Sequence, residues 1–108
     1  MQDLKQELNE LFRLLDIALK QIGKRGKKYA EKEANYRSEL SKAMLLEREA
    51  GMPATILSDV CRGKDDIALL KLERDIAEAK YKAALEAVNV YKLRIKSLEA
   101  QIEREWRG

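Results

Sequence analysis

The chain has 108 residues, of which 38% are charged and only 6% are aromatic, so it is short enough for one domain at most and poor in the large side chains that fill a compact core. It has no histidine and a single cysteine, Cys61, which excludes the usual serine and cysteine triads, zinc sites made of histidine and cysteine clusters, and an intrachain disulfide. Motifs that bind phosphate, dinucleotides or calcium are missing as well, and we expect no enzymatic activity, no cofactor and no metal ion.

The first predicted element is a helix over about residues 2–50. Apolar residues recur in it at intervals of three and four positions, as in a coiled coil. Gly23 and Gly26 are weak helix formers, but the heptad phase continues across them, so a kink is expected there; the alternative is two helices that meet at a tight turn. The seam consists of Leu4, Leu8, Leu11, Leu15, Ala18 and Ile22, widened by Phe12 and Leu19, and continues through Tyr29, Tyr36, Ala43 and Ala50.

A basic segment, defined here as residues 20–32, lies within this helix. Five cations and no acidic residue occupy positions 20–28. The two glycines would let the backbone approach a phosphate closely, and the tyrosine that follows offers a stacking surface for a base. Repeated in an oligomer, these charges would bind a nucleic-acid backbone in a salt-dependent manner; the alternative is a solvated stretch that only keeps the chain soluble. The candidate nucleic-acid-binding residues are Lys20, Lys24, Arg25, Lys27, Lys28, Tyr29 and Lys32.

The segment 51–64 connects this helix to the next one. Gly51 and the proline two residues later are typical of a helix C-terminus. A short helical turn is expected at residues 55–60. Arg62 and Lys64 lie among aspartates, which indicates ion pairing and helix capping more than phosphate binding. The apolar residues predicted to share one face of the short turn are Ile56, Leu57 and Val60.

A second long helix is predicted over about residues 65–106. Its apolar positions keep heptad spacing and are interrupted only by Arg74; a charged residue at a core position tends to fix the register or the number of partners. Two long helices joined by about a dozen residues are expected to fold back antiparallel. The predicted seam consists of Ile67, Leu70, Ala77, Tyr81, Ala84, Val88, Tyr91, Ile95, Leu98 and Ile102.

A second apolar stripe follows another face of the same helix. Because a two-stranded coil needs only one seam, this stripe implies a further neighbour, and the chain has only two long helices, so another copy is expected to cover it. The predicted fold is therefore all-α: a long antiparallel helical hairpin, or coiled coil, that forms one domain over residues 1–108 and assembles into an oligomeric helical bundle. The candidate oligomer or partner interface is Leu69, Leu72, Ile76, Val90 and Leu93.

Six stretches carry a family resemblance, and they are EKEANYR at 31–37, GMPAT at 51–55, RG at 62–63, ERDIAE at 73–78, VNVYK at 88–92 and QIEREW at 101–106. They resemble a family of short proteins from temperate phages of Gram-positive bacteria. The layout is also similar, in architecture and without a shared motif, to the recombination mediator UvsY of T-even phages. The resemblance implies a role in DNA metabolism inside the host bacterium. Its implied partners are the protein itself, single-stranded DNA, and a phage recombinase or single-strand-binding protein.

The leading functional hypothesis is a phage-encoded, oligomeric accessory protein of DNA recombination or replication that binds single-stranded DNA without reading its sequence. The main alternative is a protein-interaction module with no DNA contact, such as an inhibitor that docks a helical face onto a host defence or replication protein. A third is a structural virion or scaffold protein, to which long helices are equally suited. In each case we expect a cytoplasmic protein with no membrane partner and no small-molecule substrate, because no signal peptide, spanning apolar run or enzyme motif is present.

Overall fold

The computed structural model describes residues 2–108, and its regular structure is entirely helical. Helix α1 spans Gln2–Glu49, α2 spans Ala54–Arg62 and α3 spans Asp65–Arg107. No strand occurs in the part of the chain that is described. The all-α prediction is therefore confirmed.

Helix α1 passes through both of its glycines without interruption, which excludes two helices that meet at a tight turn. Gly23 is exposed, and a Cβ atom built on it meets no atom within 4 Å. No close approach of another group requires a glycine at this position. The helix tolerates Gly23 because the seam residues on either side continue the packing, although glycine lowers the helix propensity by about 1 kcal/mol relative to alanine.

The C-terminus of α1 has the hydrogen bonds of a Schellman motif. The amide of Met52 donates to the carbonyl of Glu47 at 3.0 Å, and the amide of Gly51 donates to the carbonyl of Arg48 at 3.1 Å. Gly51 adopts a φ of 99°, a left-handed conformation that costs little without a Cβ atom. Met52 then packs against the apolar core beside the helix end. As predicted, Gly51 and the following residues end the first long helix.

The chain forms two compact units. Unit 1 combines α1 up to Arg25 with α3 from Tyr81 onward, and unit 2 is the continuous segment Gly26–Lys80. Helices α1 and α3 thus contribute to both units. A single domain over residues 1–108 stays a prediction.

Unit 1 is a pair of antiparallel helical segments. Leu8, near the start of α1, lines a groove with Ile102, whereas Ala18 lies beside Ala84, so the two segments run in opposite directions. The predicted heptad positions form the contact between them. The core cluster consists of Leu11, Ile95 and Leu98, with Leu4, Leu8, Leu15, Tyr91 and Ile102 packed against it.

Unit 2 contains the rest of α1, all of α2 and the start of α3. Its α1 and α3 segments are also antiparallel, because Glu33 pairs with Arg74 whereas Glu47 pairs with Lys64. Helix α2 adds its buried residues to the core that these two segments form. The buried cluster consists of Tyr36, Leu40, Leu57, Cys61 and Ile67.

Helix α2 contains the short helical turn expected at residues 55–60 and directs only part of its apolar surface to the core. Leu57 and Cys61 are buried, and the Cys61 thiol is completely covered. Ile56 and Val60, which were predicted to share a face with Leu57, are 48% and 41% exposed. A spacing of four residues also joins Leu57 to Cys61, and this pair enters the core because a buried free cysteine behaves as a small apolar residue.

Arg74 lies in the seam of unit 2, at the core position that the heptad pattern assigns to it. Its guanidinium carbon lies 4.7 Å from the centre of the Tyr36 ring, close enough for a cation–π interaction. The same guanidinium donates to Glu33 across the helix pair at 3.2 Å and to Asp75 at 2.8 Å and 3.0 Å. A charge in a mainly apolar seam thus has carboxylate partners on both helices, and such a pairing favours one register of the two helices.

Candidate functional site

The first part of the basic segment belongs to unit 1 and lies at the end of its α1 portion. Lys20 and Lys24 are exposed and one helical turn apart. Lys20 pairs with Asp16 at 3.1 Å, and both side chains are well exposed, whereas Lys24 makes no ion pair with residues 2–108. Arg25 is half-buried and lines an apolar groove beside Ala18. The two lysines are therefore more accessible to a ligand than Arg25.

The second part of the basic segment belongs to unit 2. Lys27 and Lys28 are exposed; Lys27 lies 4.0 Å from Glu31, and Lys28 makes no ion pair within the described residues. Lys32 is half-buried and donates across the helix pair to Glu73 at 3.2 Å. Its positive charge is therefore already matched by a carboxylate of α3.

Tyr29 is half-buried in unit 2. Burial, followed by the nearby carboxylates Glu78 and Glu33, raises the pKa of its hydroxyl, and this hydroxyl is hydrogen-bonded to Glu78. Part of the ring surface that was expected to stack on a base is covered by this packing. The stacking role of Tyr29 stays a prediction.

The helical backbone limits how the basic segment can bind an anion. In the interior of an α-helix each amide N–H donates to the carbonyl four residues earlier. The amides of Gly23 and Gly26 lie inside α1, so they do not point freely at a ligand. Contacts between this segment and phosphate must therefore come from the lysine side chains.

The predicted interface on α3 lies largely exposed in both units. In unit 2, Leu69 and Leu72 are each 55% exposed and Ile76 is 47% exposed. In unit 1, Leu93 is 67% exposed and Val90 is half-buried. Helical periodicity explains the exposure, because these positions lie opposite the heptad seam. The structure thus leaves an apolar strip uncovered on this helix in each unit.

Other apolar side chains are also exposed, including two that were expected to widen the seam. Phe12 and Leu19 are each 48% exposed, because their heptad position lies beside the seam and no third helix covers it in unit 1. Their expected inclusion in the core was wrong for the single chain. In unit 2, Leu45 and Leu46 near the end of α1 are even more exposed.

A basic groove that the sequence analysis missed opens in unit 2. It has a volume of about 620 Å³. Three helices contribute to it, and four of its side chains are cationic whereas one is acidic. The residues that line it are Glu33, Tyr36, Arg37, Leu40, Ser41, Met44, Arg62, Lys71 and Arg74.

The cationic side chains of the basic groove differ in whether they pair with a carboxylate of the fold. Arg37 donates to Glu33 at 2.5 Å, and Lys71 donates to Asp75 at 3.0 Å. Hydrogen bonds from Arg37 and then Arg74 hold the pKa of Glu33 below its usual value, against the opposing effect of burial. Arg62 makes no ion pair with residues 2–108. The sequence predicted ion pairing or helix capping for both Arg62 and Lys64. Of these two cations only Lys64 forms an ion pair, with Glu47 at 2.5 Å.

Residues 2–108 offer neither a metal-binding cluster nor a membrane-spanning helix. This part of the chain holds no group of three or more histidine, cysteine, aspartate or glutamate residues that could bind a metal ion. None of its helices combines the length and the apolar character needed to cross a membrane. No protein-family model, curated protein or solved structure matches the sequence or the fold.

Proposed function

We propose that this chain is an oligomeric accessory protein of DNA recombination or replication, of the phage-encoded kind that the sequence resemblance implies, and that it binds single-stranded DNA through the basic segment. The observation that carries the proposal is the set of exposed lysines on α1, two of which, Lys24 and Lys28, have no ion-pair partner within residues 2–108. A polyanion can reach such side chains without breaking any contact of the fold. Binding of this kind follows the phosphate backbone and does not read the bases.

The ion pairs that do occur on the segment are weak competitors for DNA. Lys20 pairs with Asp16, and Lys27 pairs with Glu31, between exposed side chains on the same helix. Such surface pairs are screened by solvent and salt and contribute little to stability. A strand that offers several phosphates together can therefore replace these carboxylates. Because a few lysines per chain bind weakly, the proposal needs several copies.

The oligomer is proposed to form through the apolar strip on α3. Leu69, Leu72 and Ile76 in unit 2 expose about half of their surface, and exposed apolar patches of this kind commonly mark protein contacts. Covering them with the same strip of another copy would remove apolar surface from water and bring several basic segments into one particle.

The proposal is tested by measuring the mass of the purified protein with and without a labelled single-stranded oligonucleotide, at low and moderate salt. A variant with Lys20, Lys24, Lys27 and Lys28 all replaced by Gln should keep its helicity and lose binding. Arg25 is retained because it is half-buried. The slope of log affinity against log salt should fall by up to roughly 3 for four lost phosphate contacts per bound copy.

The matched control replaces four exposed lysines elsewhere, Lys5, Lys42, Lys92 and Lys96, by Gln. This change lowers the net charge by the same amount and should leave most of the binding intact. If both quadruple variants lose binding equally, only the overall charge matters and the basic segment has no special role. If the wild type ignores DNA at low salt, the DNA-binding proposal is wrong.

The second candidate function is a protein-interaction module without DNA contact, for example an inhibitor of a host defence or replication protein. The exposed apolar strip favours it, since a partner helix of another protein would cover Leu69, Leu72 and Ile76 as well as a second copy does. A monomeric protein in solution that does not bind DNA would support this candidate over the first.

A further inference from the structure

We propose that the basic groove of unit 2 is a binding site for adjacent phosphate groups, such as the phosphate chain of a nucleotide. This site is distinct from the lysines of the basic segment and does not depend on them. Four cationic side chains line this groove of about 620 Å³, in which Glu33 is the sole acidic lining residue. A volume of this size lies within the usual range for small-molecule sites.

The arrangement of donors favours phosphate over a carboxylate ligand. Arg37 reaches the groove from α1, Arg62 from α2, and Lys71 and Arg74 from α3. Donors that come from three helices suit the tetrahedral oxygens of a phosphate group, whereas a carboxylate is planar and offers only two oxygens. Arginine is the side chain that binds phosphate with two parallel hydrogen bonds.

Enough donors in the groove remain unused for a ligand of several charges. Arg74 uses its Nε, Nη1 and Nη2 atoms in three hydrogen bonds to carboxylates, which leaves two of its five N–H groups. Arg37 uses only its Nε atom, and Lys71 uses one N–H. Arg62 has no ion-pair partner within the described residues, so all of its donors are open. The carboxylates thus hold Arg74 in place. Arg62 has the largest number of unused donors of the four cations, so a bound anion should interact with it most strongly.

The test uses inorganic triphosphate as the probe and isothermal titration calorimetry of the full chain at low salt. The wild type should bind triphosphate, and the affinity should fall as salt rises. The variant Arg62→Gln should bind at least about fivefold more weakly, the usual scale for losing one partly exposed charge-assisted contact. Because Arg62 is exposed and makes no ion pair in the fold, circular dichroism should show unchanged helicity.

The matched control is Arg94→Gln, which removes one exposed arginine from unit 1. It should bind triphosphate as the wild type does. Equal losses in both variants, or no binding by the wild type, would overturn the site. A second variant, Arg37→Gln, should also weaken binding; Glu33 keeps a partner there because Arg74 still donates to it. Unchanged affinity in this variant would count against the proposed geometry.

Competition experiments identify the source of the phosphates and the specificity. Displacement of triphosphate by a single-stranded oligonucleotide in the wild type would show that a strand occupies the groove; displacement only by deoxynucleoside triphosphates would point to free nucleotides. Equal displacement by oligoglutamate of the same charge would overturn phosphate recognition. The variant lacking the four lysines of the basic segment should still bind triphosphate, so a failure of the DNA proposal and a failure of the groove are distinguishable.

Discussion

Gly23 and Gly51 are predicted to respond with opposite signs to the same substitution by alanine. Gly23 is exposed inside α1, and its new Cβ would meet no atom within 4 Å, so alanine should raise the free energy of unfolding by about 1 kcal/mol through helix propensity. Gly51 has a φ of 99°, and an L-residue in a left-handed conformation costs about 1 to 2 kcal/mol. Alanine there should therefore lower the free energy of unfolding by this amount.

The assay is thermal unfolding followed by circular dichroism, with both variants and the wild type at one protein concentration, because self-association makes Tm depend on concentration. A change of 1 kcal/mol corresponds to roughly 4 to 8 °C in a small domain. Gly23→Ala should unfold at a higher temperature than the wild type, and Gly51→Ala at a lower one. The double variant should lie between them, since the two glycines are far apart in the sequence and belong to different compact units.

The result that would refute this reasoning is a clear loss of stability in Gly23→Ala. It would mean that Gly23 adopts a conformation in solution that alanine cannot, and hence that α1 is interrupted there. The DNA affinity of this variant is equally informative. Because the amide of Gly23 lies inside the helix, its replacement by alanine should leave oligonucleotide binding unchanged.

Two further predictions concern the apolar strip and the acid stability of unit 2. Leu72→Glu should lower the mass of the oligomer, because it places a charge on the proposed interface. Leu46→Glu, at a residue of α1 that is even more exposed, should not; sedimentation at equal concentrations compares the two variants. Arg37 and Arg74 lower the pKa of Glu33, and Lys71 and Arg74 lower the pKa of Asp75, so both carboxylates stabilise the fold at neutral pH. This stabilisation is lost as the pH falls from about 4.5 for Glu33 and about 3.8 for Asp75 through their lower folded pKa values. Urea midpoints measured from pH 7 to pH 3 should show this loss, and a variant with Glu33→Gln and Asp75→Asn should show a smaller one.

The heptad seam could be predicted well because spacing alone decides which side of a long helix is buried. Every predicted seam residue of α3 is buried or half-buried, and Ile67 and Ile95 are only 2% and 6% exposed. A helix of 43 residues repeats the pattern often enough to average out single exceptions such as Arg74. The position of Arg74 could be predicted for the same reason, but its partners Tyr36 and Glu33 could not, since they lie on another helix.

The buried face of α2 could not be predicted because the helix is too short to show a period. Its nine residues make fewer than three turns, and both Ile56 with Val60 and Leu57 with Cys61 have the spacing of a helical face. Packing against Tyr36 and Ile67 decides in favour of Leu57 and Cys61. This choice depends on how three helices meet, and no local pattern contains that information.

The sequence alone does not show which cations pair with carboxylates of the fold and which remain accessible to a ligand, because net charge and charge clustering are the same in both cases. Lys32 lies in the basic segment and Lys64 in the connecting segment, yet each bridges two parts of unit 2 through a carboxylate. Lys24, Lys28 and Arg62 appear in the same stretches and have no such partner within residues 2–108. An anion must therefore compete with a carboxylate to bind Lys32 or Lys64. It meets no such competition at the other three cations. Any anion-binding role of this protein should therefore be sought first at the basic segment and at the mouth of the basic groove, where the fold leaves positive charge unmatched.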